Sequence, residues 1–152
     1  MKWEGSCVNG KANGYGKLTK YINGKYESTY EGEYKNGIRE GKGKFTHISG
    51  SILECNFSNG QALGFGKYDL GDDGYYQGEI VNYRIHGKGT RTFANGAKFE
   101  GFYVSDEMYT GKYTNYDGKI TYIQQYYPVE KINKKESGYI PEKGVRITEY
   151  FD

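Results

Sequence analysis

Cysteine, proline and histidine are nearly missing: the 152 residues hold two of each. Two cysteines, Cys7 and Cys55, are too few for a disulfide framework. The histidines, His47 and His86, lie two repeats apart with no Cys or carboxylate at metal spacing, so no metal site is expected. There is no run of 18 apolar residues, and MKWEGSCVNG lacks the apolar stretch of a signal peptide. Neither a membrane-spanning helix nor secretion by that route is expected. Excess charge is also missing. With 21 basic and 19 acidic residues, mostly interspersed, the chain does not read as a general polyanion binder. Leu, Ile, Val and Phe number only 27, a level that would suggest disorder. Disorder of that kind also needs high net charge and few aromatics. Here 18 Tyr, 7 Phe and one Trp supply the apolar area, so ring packing replaces an aliphatic core.

Glycine is abundant, at 24 residues, and it falls in register. Laid out from Trp3, Tyr30, Leu53, Tyr76 and Phe99, the chain repeats at steps of 27, 23, 23 and 23. The third column then reads Gly5, Gly32, Cys55, Gly78, Gly101, and the fifth Cys7, Tyr34, Phe57, Ile80, Tyr103. Gly-x-Gly follows at 14–16, 41–43, 64–66 and 87–89, with Gly111 alone in the fifth copy. A first turn signal stands at Asn9-Gly10, Asn36-Gly37 and Asn59-Gly60, then in weaker form at Val81-Asn82 and Ser105-Asp106. A second stands at Asn23-Gly24, Ser49-Gly50, Asp73-Gly74, Asn95-Gly96 and Asp117-Gly118. Such dipeptides accept the positive φ of tight hairpin turns. Two turns per repeat predict a β-hairpin per repeat, and five repeats predict about ten strands.

Alternation assigns the faces. Tyr30, Gly32 and Tyr34 point one way and Glu31 and Glu33 the other, while Gly43 and Phe45 oppose Lys42 and Lys44. A glycine between two rings leaves a slot for a neighbouring repeat's ring and lets the sheet curl into a trough. Acids and lysines on the other face can pair across strands.

YEGEYKNGIREGKGKF and YQGEIVNYRIHGKGTRTFANG resemble MORN repeats, whose pattern is aromatic-x-Gly-x-aromatic, a turn, Gly-x-Gly and a Gly turn. The likeness spans about residues 3–118; Cys7, Cys55 and the shortened fifth copy depart from it. It implies an all-β fold: an elongated, single-layer antiparallel sheet, a solenoid of about five hairpins. It also implies protein binding, scaffolding or membrane lipid binding. Residues 1–118 are thus expected to form the array. Residues 119–152, which hold both prolines and only two glycines, are expected to cap it.

Several sharper readings fail on context. The GxG-Lys segments lack the following helix that a phosphate loop requires. Glu31 and Glu33 sit two apart on one strand opposite lysines, which does not suit paired-carboxylate catalysis. Cys7 and Cys55 have no paired His and read as small buried hydrophobes. No enzyme activity and no cofactor are expected.

The expected function is non-catalytic protein binding, as an adaptor, scaffold or stoichiometric inhibitor. A partner's helix or extended segment would lie in an aromatic groove. Tyr30, Tyr34, Tyr76, Phe99 and Tyr103 are the candidate contacts, with Glu31 and Glu100 at the margin. A toxin-neutralising immunity protein is one alternative. Another is a membrane adaptor that binds anionic phospholipid through Lys131, Lys134 and Lys135. Nucleic acid ranks last because of the balanced charge, and a dimer through a sheet edge stays open. The expected location is cytoplasmic, with peripheral membrane association as the alternative.

Overall fold

Every described non-glycine residue with positive φ lies at a hairpin turn, among them Asn9, Asn23, Asn36 and Asn59. The turns therefore set the fold. In the computed structural model, which describes residues 1–126 and 144–148, they join β1 (Lys2–Val8), β2 (Lys11–Ile22), β3 (Lys25–Lys35), β4 (Ile38–His47), β5 (Ile52–Ser58) and β6 (Gln61–Asp69). A single 3-10 turn (Gly71–Asp73) leads into β7 (Tyr75–Val81), β8 (Arg84–Thr92), β9 (Lys98–Val104), β10 (Glu107–Thr114), β11 (Ile120–Tyr126) and β12 (Gly144–Thr148). Each strand pairs antiparallel with the next, giving one sheet in chain order. The first ten strands are the five expected hairpins, and two further strands continue the sheet after Gly118.

Register turns the glycine columns into one row across the sheet. Gly5 faces Gly16, Gly32 faces Gly43, Gly78 faces Gly89, and Gly101 faces Gly111. Between hairpins, Gly16 meets Gly32, and Gly89 meets Gly101. In four of the five repeats the first-column ring folds down onto its own glycine pair, in the slot where a neighbouring repeat's ring was expected. A Cβ on Gly43 would stand 2.6 Å from two atoms of the Tyr30 ring, and one on Gly89 would overlap the Tyr76 ring. The third repeat solves the same problem differently. Leu53 replaces the ring, and Cys55 takes the place of a glycine opposite Gly43.

The rings also pack edge to face along the array. Tyr30 contacts Tyr34 at 5.3 Å and Phe57 at 4.9 Å, and Tyr103 contacts Tyr76 at 5.2 Å and Phe99 at 5.1 Å. These residues, with Leu53, Ile80 and Ile85, form the buried core on one face of the sheet. The opposite face carries a cross-strand ladder that alternates in sign: Glu4, Lys17, Glu31, Lys44, Glu54, Lys67. Lys17 and Glu31 approach to 3.4 Å, and Lys112 and Glu100 to 3.0 Å. Each such exposed pair adds at most about 1 kcal/mol, so the ladder sets register and solubility more than stability.

Two expectations need correction. The fourth repeat's turn is Asn82-Tyr83, with φ of 49° and 65°, one residue later than Val81-Asn82. Cys7 is exposed and Cys55 buried, because β1 is flanked by one strand alone and leaves its fifth-column side chain uncovered. Burial holds the Cys55 thiol up at about 11. In native protein one thiol, Cys7, is therefore expected to react promptly with a thiol reagent at pH 8, and the second only after unfolding. Equal rapid labelling of both would contradict the packing around Cys55.

Candidate functional site

The seven residues expected at a partner surface do not share one surface. Tyr30, Tyr34, Tyr76, Phe99 and Tyr103 are the closed core, none above 7% exposed. Glu31 and Glu100 belong to the charge ladder on the other face, each paired with a lysine. Lys131, Lys134 and Lys135 lie outside the described residues.

Buried phenols have a consequence for alkaline stability. Burial pushes the Tyr76 hydroxyl up to about 12 and raises Tyr30 and Tyr103 as well. An unfolded tyrosine loses its proton near pH ~10, so the unfolded chain is the first to ionise. The three phenols' contribution is thus complete below pH ~10 and is lost as pH rises above it, that of Tyr76 through about 12 and those of Tyr30 and Tyr103 later still. Urea unfolding midpoints are expected to fall steeply above pH ~10, and a flat profile to pH ~11 would contradict their burial.

An open trough does exist on the ring side, but second-strand and turn residues line it. Gly43 and Phe45 lie on the ring face of β4, and Tyr68 holds the corresponding position on β6. Phe45 and Tyr68 are half-buried, as are Leu70 and Arg91. Tyr83 reaches in from the β7–β8 turn. Its ring lies 5.6 Å from Phe45 and 5.9 Å from Phe57, and its hydroxyl accepts a hydrogen bond from Arg39. Two strands lie between β4 and β7, so three strand spacings, about 14 Å on a flat sheet, separate them, and the sheet is concave on this side. Arg39 also stacks over Tyr30 at 4.7 Å. Two adjoining cavities of about 600 and 540 Å³ meet at Ser49, Ser51, Tyr68 and Tyr83. Together they run across the strands from Lys20 to Asp106.

Tyr83 is the residue that sequence reasoning missed. Placing the turn at Val81-Asn82 hid the fact that Tyr83 stands where three sister repeats have Gly10, Gly37 and Gly60. A bulky residue at positive φ is an uncommon and strained choice.

The other candidates have local structural roles. His47 Nδ1 accepts the Ser49 N–H at 3.2 Å, and His86 Nδ1 accepts the Ser105 N–H at 3.3 Å. Glu79 accepts the Lys88 N–H at 2.5 Å across the bulge at Gly87. On the ladder face a shallower cavity of about 420 Å³ lies between two exposed rings, Tyr15 and Phe65, over Lys42 and Glu54. No helix among the described residues is long and apolar enough to cross a membrane.

The MORN repeat family model matches residues 3–25, 30–52, 56–75 and 76–98, more than half of the chain. This chain belongs to the MORN-repeat family. Its third match begins at Asn56, just past the Leu53 and Cys55 departures, and the fifth hairpin keeps the array's register without a match. Among curated relatives, Alsin of Homo sapiens is 31% identical over 100 residues, and Alsin of Rattus norvegicus 29% over the same length. Each alignment covers 62% of this chain, and the chain spans 6% of the length of either relative. MORN repeats are binding modules for proteins or membranes.

Proposed function

We propose that this array is a non-catalytic protein-binding module, an adaptor, scaffold or stoichiometric inhibitor that takes a partner's helix or extended segment into the ring-face trough. The observation that carries this reading is Tyr83. Its backbone occupies a conformation that costs on the order of 1–3 kcal/mol in a non-glycine residue. In return its ring stands at the junction of both cavities, beside Phe45 and Arg39. Half-buried aromatics with a nearby guanidinium are the groups that dominate protein interfaces. The ladder face suits an anionic lipid or nucleic acid less well, since each carboxylate along it lies beside lysines. A toxin-neutralising immunity role is one form of stoichiometric inhibition and falls within this reading. The same reading takes residues 119–152 as the end of the array that covers the β10 edge, beginning with β11.

Capture with the tagged full chain tests it, using wild type, Tyr83→Gly in the trough and Phe65→Ser on the ladder face. Protein, lipid and nucleic acid are identified in each eluate. The expected result is a protein held by wild type and Phe65→Ser and lost with Tyr83→Gly. Retention of anionic lipid alone, or loss with Phe65→Ser only, would overturn the proposal and point to the face that carries Tyr15 and Phe65.

A further inference from the structure

The trough is polarised along its length, and this identifies the chemistry of its occupant. At the β2–β4 end, Lys20 is held by Glu27 at 3.0 Å, which leaves Arg39 as the uncompensated charge. Among the described residues no carboxylate pairs with Arg39. At the β6–β9 end the cavity is lined by Asp72, Asp73 and Asp106 against one cation, Arg91. Arg91 is itself stacked over Phe93 at 4.7 Å. Asp106 accepts the Ile85 N–H through Oδ1 at 2.8 Å, while Asp72 and Asp73 stand exposed on the 3-10 turn. Between the two ends Phe45, Tyr68, Tyr83 and Leu70 form an apolar floor, beside Ser49 and Ser51 where the two cavities meet.

Resting on the trough reading above, we propose that the occupant is a linear protein segment with opposite charges at its two ends. An Asp or Glu meets Arg39, apolar side chains cover Tyr68 and Tyr83, and a Lys or Arg enters the Asp72–Asp73–Asp106 end. From β4 to the β9–β10 turn is about five strand spacings, roughly 24 Å on a flat sheet and less on a concave face. An extended segment rises about 3.3 Å per residue, so the two charges stand about five to seven residues apart. Charge complementarity of this kind fixes direction as well as partner, because the reversed segment would place like charges together at both ends.

A random linear peptide library displayed on phage, selected on the immobilised full chain, tests the inference. Wild type is expected to enrich peptides with an acid and a base about five to seven residues apart and apolar residues between. Asp72→Lys combined with Asp73→Lys changes exposed turn residues and leaves the core untouched. It is expected to weaken wild-type-selected peptides about tenfold or more and to enrich peptides that lack the basic end. Enriched apolar peptides with no charge pattern, lost on Tyr83→Gly, would refute the inference while leaving the trough reading intact. Peptides that bind Tyr83→Gly as well as wild type would refute both.

Discussion

Tyr76→Ala is expected to lower unfolding free energy by about 3–5 kcal/mol, the usual cost of deleting a fully buried ring. The Tyr76 side chain has no solvent exposure. Its hydroxyl donates to the carbonyls of Glu79 and Lys88, at 3.0 and 3.2 Å, and its ring covers Gly78 and Gly89 while packing against Tyr103. Truncation therefore opens a cavity, strips the cover from a glycine pair and breaks the ring chain between repeats. Tyr76→Phe keeps the ring and loses only the carbonyl contacts, so about 1–2 kcal/mol is expected. Urea unfolding of the two variants checks both values. Near-equal losses would mean that the hydroxyl, and not the ring over the glycines, holds the fourth repeat together.

Gly89→Ala is expected to cost about 3 kcal/mol even though it adds a single methyl group, at the upper end of overpacking costs. The new carbon would overlap the Tyr76 ring, which is walled in by Tyr103 and the backbone and has nowhere to go. The third repeat shows that ring and glycine row change together, since there a leucine replaces the ring and Cys55 stands in the first-strand glycine column, with Gly66 kept at the Gly89 position. Tyr76→Leu combined with Gly89→Ala should therefore cost at least about 1 kcal/mol less than the sum of the single changes. Simple additivity would show that ring and glycine are not coupled, contrary to the geometry. The same coupling explains why Leu53 and Cys55 depart from the repeat pattern together.

The repeat frame was legible in the sequence because it is local; which ring fills each glycine slot was not. A glycine between two rings reads as room for a neighbouring repeat's ring, and the repeat's own first-column ring takes it. Ring, glycine and turn recur at fixed offsets, and period-two alternation alone assigns Tyr30 to one face and Glu31 to the other. The sheet order follows, since short hairpin turns leave each strand no neighbour but the next. That the sheet curls was legible from its glycines, but the extent of the curl was not, and the candidate site depended on it. Whether Tyr30 lines a groove or lies flat beneath one depends on how far the strands bend over the glycine row, and column position carries no measure of that bend. The result is a core built from the expected contact rings and a trough built from Phe45, Tyr68 and Tyr83 above it. Tyr83 could have been found. Aligning Asn82 with Asn9, Asn36 and Asn59 puts a tyrosine in a column of glycines, and a bulky residue required to take positive φ signals that something other than turn geometry selects it.

Protection of single cysteines placed on the two faces tests the trough most directly. In a Cys7→Ser background, Ser49→Cys puts a thiol at the meeting point of the two trough cavities, and Asn56→Cys puts one in the cavity of the ladder face. Both parent residues are exposed, so both thiols should label with a maleimide in the free protein. With the captured partner bound at saturation, labelling at position 49 should slow about tenfold or more, while position 56 keeps its free rate. Protection at 56 with none at 49 would contradict the account and place the partner on the charged face.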